Sequence, residues 1–149
     1  MYNFLLEFHS IFRYVVLLLA IVVIYQSIMG ITEKKSYTAG NAKSALFFMI
    51  SWDLMFLVGI LLYLVFSPLT AAAMQDFGAA MKDPNLRFFA VEHSLMMLIS
   101  LVLVHIGKSK IKKAATDYKK HQIGLIFFGL ATAITLFAIP WSMRGYWPQ

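Results

Sequence analysis

The chain contains no cysteine. Structural disulfides, zinc–thiolate sites, iron–sulfur clusters and covalently attached c-type haem are thereby excluded. Charge is scarce as well. Only 13% of the 149 residues are Asp, Glu, Lys or Arg, where a soluble domain carries about a quarter. There is no catalytic triad, phosphate-binding loop, metalloprotease spacing, internal repeat or low-complexity tract. What the chain has is apolar surface. It is 60% hydrophobic with a mean hydropathy of +0.73. That excludes an ordinary water-soluble domain and excludes disorder, which needs low hydrophobicity. The length suits one domain.

Four apolar blocks organise the chain, at about 4–29, 45–66, 85–107 and 120–141. A spanning helix needs ~20 mostly apolar residues, and each block is long enough. In lipid the backbone must satisfy its own hydrogen bonds, so the blocks are expected to be helices. The fold class is all-α, an integral membrane four-helix bundle. Pro68 should end the second helix. Asp83-Pro84 should cap and begin the third, because proline loses nothing at the first helical position. Met74, Phe77 and Met81 fall near helical spacing between them, which points to a short interfacial helix. Gly107 is expected to start the exit from the third helix, and Pro140 to lie in the last turn of the fourth.

Basic residues set the orientation. Lys34, Lys35 and Lys43 lie between the first and second spans; Lys108, Lys110, Lys112, Lys113, Lys119 and Lys120 lie between the third and fourth. Two helices separate these connections, so they share a side. The opposite side holds Lys82, Arg87 and Arg144. The basic side is expected to be cytoplasmic, with both termini outside, in the bacterial inner membrane. Trp141, Tyr146 and Trp147 would form an outer aromatic belt. Anionic lipid then accounts for the net charge of +6, and nucleic acid is not an expected partner. No basic segment precedes the first apolar run and no small-residue cleavage site follows it, so the first span is expected to be retained.

Ionisable residues inside spans are costly and mark function by default. They are His9, Arg13, Asp53, Glu92, His93 and His105, with His121 at a boundary. At ~1.5 Å per residue, His9 and His93 lie at similar depth near one side, and His105 and His121 near the other. Paired imidazoles across a bundle suit axial ligation of haem iron. The plainer reading is a histidine bonded to a neighbouring carbonyl. His93 and His105 point about 120° apart around their helix, so one outer haem is more economical than two. Arg13 lies a turn deeper than His9, and Glu92 is its expected partner. Asp53, mid-span, is expected either to carry protons or bind a quinone, or to bond near Ser27, Gln26 or Trp52. Gly59, Gly124 and Gly129 would allow close backbone approach. Met96 and Met97 read as core filler.

Certain runs carry a resemblance: His9-Ser10-x-x-Arg13-Tyr14, Arg87 through His93, His105-Ile106-Gly107-Lys108-Ser109-Lys110, and Lys120-His121 before Ile139-Pro140-Trp141. Over nearly the whole chain the sequence resembles small four-helix bacterial membrane proteins of the cytochrome b type. That resemblance implies haem b in the membrane and electron transfer with quinones or partner subunits. It carries His9 and His93 over as the first ligand pair, followed by His105 and His121, with Arg13, Asp53 and Glu92 in support. Asp53 departs from the histidine or glutamine expected there in the group. The expected partners are lipid, respiratory or other membrane-complex subunits, and a second copy of the chain. The alternative function is a cofactor-free subunit stabilising a larger complex. A small transporter using Asp53 has little support without a repeat.

Overall fold

The computed structural model describes residues 1–141. Its elements are α1 (Tyr2–Thr32), α2 (Ala39–Leu61) running into a π-helical turn (Leu62–Phe66), α3 (Pro68–Gln75), α4 (Phe77–Ala80), α5 (Pro84–Arg87) running through a second π turn (Phe88–Glu92) into α6 (His93–Lys113), and α7 (Asp117–Ala138). No strand occurs among the described residues. The stretches Tyr2–Thr32, Ala39–Phe66, Pro84–Lys113 and Asp117–Ala138 are each long and apolar enough to cross a membrane. Tyr146, Trp147 and Arg144, assigned above to one face of the membrane, lie outside the described residues.

The helices outrun the apolar blocks because their polar ends are well capped. The Thr38 hydroxyl accepts from the Asn41 amide, and the Asn41 side chain accepts from the Thr38 amide at 2.8 Å. This reciprocal box starts α2 at Ala39, inside the polar connection. Thr116 likewise caps α7. Asp83 accepts from the amides of Asn85 and Leu86 at 2.8 and 2.9 Å, with Pro84 at the first helical position, as the sequence implies. Gly107 does not end its helix. A side chain there would strike Phe127, so this glycine is a packing site and α6 continues to Lys113. Pro140 lies beyond α7, which ends at Ala138. Ile139, the residue before the proline, is already extended with ψ 127°.

The buried stripes explain how the bundle packs. On α1 the buried residues are Arg13, Val16, Ala20, Val23, Ser27 and Gly30; on α7 they are His121, Gly124, Phe128, Ala131, Thr135 and Ala138. Both step alternately by three and four. That is the 3.5-residue repeat of knobs-into-holes packing. Apart from Val16, Val23 and Phe128 the stripes are small or polar, whereas large apolar residues such as Leu18, Ile21, Leu57 and Ile126 point outward. This inversion is what a bundle in lipid requires, because lipid is as apolar as leucine and small residues let backbones close up. Helices α1 and α7 grip each other reciprocally. Gly30 of α1 lies under the ring of His121, and a side-chain carbon on Gly124 of α7 would come within 2.7 Å of the Ser27 hydroxyl. By contrast, nothing lies within 4 Å of the equivalent position on Gly129, so that glycine is no contact point. Phe48, Trp52, Val104 and Phe128 fill the centre, with Phe48 and Phe128 meeting edge to face at 5.3 Å. Helix α6 packs most closely on α7 and more sparsely on α2.

Candidate cofactor site

At the end of the bundle near α3 and α5, all four long helices surround a cavity of ≈480 Å³. The two π turns shape this end. A π turn widens the helix and frees carbonyls, a feature frequent at functional sites. The Tyr63 hydroxyl donates to the Ala90 carbonyl at 2.7 Å, tying the first π turn to the second. The Thr70 hydroxyl donates to the Tyr63 carbonyl at 2.7 Å. These bonds satisfy the groups that the irregular backbone exposes. Tyr63 and Thr70 were not singled out in the sequence. Their signal there is only a hydroxyl beside an otherwise apolar helix end.

His9 and His93 both line this cavity. Their ring centroids are 6.4 Å apart, with planes inclined at 68°. Two imidazoles flanking one metal at bonds of about 2.0–2.1 Å have ring centres about 6 Å apart, and rotation about the shared axis is unrestricted. The separation of the two rings is that of two imidazoles on one metal. His93 Nδ1 lies 2.8 Å from the Ala138 carbonyl. A carbonyl only accepts, so Nδ1 carries the proton and a neutral ring has its lone pair on Nε2. This is the orienting bond that metal-binding histidines commonly make. His9 rests against Gly59: a side-chain carbon there would lie 3.2 Å from His9 Cε1. Gly59 thus makes room for the ring. The remaining lining is largely apolar, including Trp52, Met55, Phe89 and Met97. Leu64, Leu95 and Leu98 line the cavity and are also exposed, so it opens sideways between α2 and α6.

Arg13 is buried and lines the same cavity. Its Nη2 donates to the Tyr14 hydroxyl at 3.0 Å, and its guanidinium lies 5.5 Å from the Trp141 ring. The expected partner Glu92 is elsewhere. Glu92 sits in the second π turn and accepts from Arg87 Nε at 2.7 Å, half exposed. The π turn sets the direction of Glu92, which a regular helical wheel does not capture. Among the described residues, no carboxylate lines the cavity.

The other two histidines part company. His105 shares a depth with His121 in the sequence, yet its Nε2 meets Asp53 Oδ1 of α2 at 2.7 Å. Asp53 accordingly does not bond to Ser27 or Gln26. Gln26 donates to Ser44 at 3.1 Å, and Ser27 packs on Gly124. His121 is fully buried on α7, against Gly30 and with the Tyr37 ring 5.2 Å away. Neither His121 ring nitrogen has a hydrogen-bond partner among the described residues. His105 and His121 therefore face different neighbours. Among the described residues, no three histidine, cysteine or acidic side chains gather into a metal site. A haem requires only two axial ligands. No protein-family model, curated protein or solved structure matches the chain.

Proposed function

We propose that this protein is a b-type cytochrome-like membrane protein, with His9 and His93 as the axial ligands of one haem b. The observation that carries the reading is the 6.4 Å juxtaposition of these two rings in a cavity of ≈480 Å³ between the helices. A haem held there would supply one-electron redox chemistry, exchanging electrons with a quinone or a partner subunit.

The chain's own residues have separate tasks. Helices α1 and α6 bring imidazoles from two sides. The Ala138 carbonyl holds the His93 ring in one tautomer and one orientation. Gly59 leaves space for His9. Arg13 places a fixed positive charge in the lining, suited to the carboxylates of the cofactor and able to raise its potential. The apolar walls would exclude water from a haem held there. In the orientation proposed, both termini and helices α3 to α5 face outward from the bacterial inner membrane, and the lysine-rich connections face the cytoplasm. Exposed Met74 and Phe77 on α3 and α4 support an interfacial position for that segment.

The test is an absorption spectrum of protein purified from haem-replete cells. A Soret band that sharpens on dithionite reduction is expected. It should vanish in His9→Ala and His93→Ala and persist in His105→Ala. A colourless but folded preparation from such cells would reject the assignment and favour a cofactor-free scaffold subunit.

A further inference from the structure

The contact between Asp53 and His105 lies on the outer surface of the bundle, at the seam of α2 and α6. Their side chains are 45% and 46% exposed. Around them the seam is apolar and exposed, with Ile50, Leu54 and Leu57 on α2 and Val102 and Ile106 on α6. Asp53 is close to the middle of its spanning segment Ala39–Phe66. A polar pair half open to hydrocarbon is costly, and such groups normally face protein or water.

One bond joins the pair, between His105 Nε2 and Asp53 Oδ1. Asp53 Oδ2 and His105 Nδ1 make no hydrogen bond among the described residues. Lipid favours a pair that is neutral overall. In a neutral pair one proton bridges the bond, and whichever atom holds it, Nδ1–H remains a donor and Oδ2 an acceptor. The patch therefore offers one unused donor beside one unused acceptor. It is complementary to a rotated copy of itself.

Membrane insertion restricts that rotation. Copies inserted in one direction are related by a two-fold axis only if it runs along the membrane normal. Such an axis preserves depth and sets α2 of one copy against α6 of the other. Asp53 then meets His105 of the second copy at its own level, and His105 meets Asp53, as an isologous interface demands. We infer that this protein forms a two-fold dimer through the α2–α6 seam, closed by a ring of four side chains, two Asp53 and two His105. Interhelical polar bonds of this kind associate spans where hydrophobic driving force is absent. The inference rests on the membrane-spanning reading of the four helices and is independent of haem.

The absence of cysteine makes the test direct. Single variants Leu54→Cys and Val102→Cys place a thiol on the seam; Leu18→Cys places one on the exposed face of α1. After treatment of native membranes of the full chain with a bis-maleimide of about 13 Å reach, which spans the diagonal between like helices when neighbours pack about 8–10 Å apart, the seam variants should yield a cross-linked dimer and Leu18→Cys should not. Adding Asp53→Leu to Leu54→Cys should cut the yield at least about fivefold. The exchange Asp53→His with His105→Asp should restore it, since the ring keeps its donors and acceptors. Equal cross-linking at Leu18 and Leu54, or a yield unchanged by Asp53→Leu, would overturn the inference. So would a monomeric mass for the wild-type chain in lipid nanodiscs. The Soret spectrum of the same samples reports on the haem separately.

Discussion

Replacing Gly30 by alanine tests the reciprocal grip of α1 and α7. Glycine inside a helix is ordinarily a weak choice, and alanine gains about 0.8–1 kcal/mol. Gly30 is two residues from the end of α1, so its gain is at the low end. Against this stands a collision. The new methyl group would overlap the ring of His121, which is 1% exposed and has Tyr37 packed 5.2 Å away. Burial and the Tyr37 ring restrict its movement. Overpacking of this kind costs about 1–3 kcal/mol, leaving a net loss of up to roughly 2 kcal/mol after the helical gain. Gly129→Ala, on the same pair of helices, meets nothing within 4 Å and should keep its full gain. The same chemical change thus has opposite signs at two positions. Reversible unfolding in mixed detergent micelles measures both. The double variant Gly30→Ala/His121→Ala supplies the control: without the imidazole, the Gly30 substitution should become neutral or favourable, giving a coupling energy above about 1 kcal/mol. If Gly30→Ala stabilises as much as Gly129→Ala, the packing argument is refuted.

Two further outcomes are expected. Tyr63→Phe removes the donor to the Ala90 carbonyl at the junction of the π turns; the Ser94 hydroxyl at 3.4 Å is a poor substitute, so a loss of about 1–2 kcal/mol should appear in the same unfolding assay. Tyr37 lies in the connection between α1 and α2, outside the spans, and burial pushes its hydroxyl above the ordinary tyrosine value of 10.0. The folded chain then holds a proton that the unfolded chain has lost. This contribution to stability is complete below pH about 10 and disappears as pH rises through the raised value. Tyr37→Phe should remove that alkaline decline, and a phenolate absorbance titration of the native protein should show one tyrosine ionising late. A Tyr37→Phe variant with an unchanged alkaline decline would rule out Tyr37 as its source.

The sequence by itself determined the four long helices. Some twenty apolar residues in a row permit only a structure that satisfies its backbone internally, and the Asp83-Pro84 start is equally local chemistry. It also brought His9 and His93 to one depth, since helical rise converts residue count into height. What it could not supply was direction around each helix. Apolar residues cover nearly every face, so hydrophobic periodicity does not mark the buried side. The mark is present in another form, as mostly small and polar residues spaced by three and four from Arg13 to Gly30 and from His121 to Ala138. The partners of Asp53, Glu92, His105 and His121 were decided by tertiary structure. Rotation of each helix about its axis is fixed by packing between helices, and the π turn at 88–92 shifts side-chain direction locally. Height along a helix is an additive property of the chain, whereas facing is a property of neighbours.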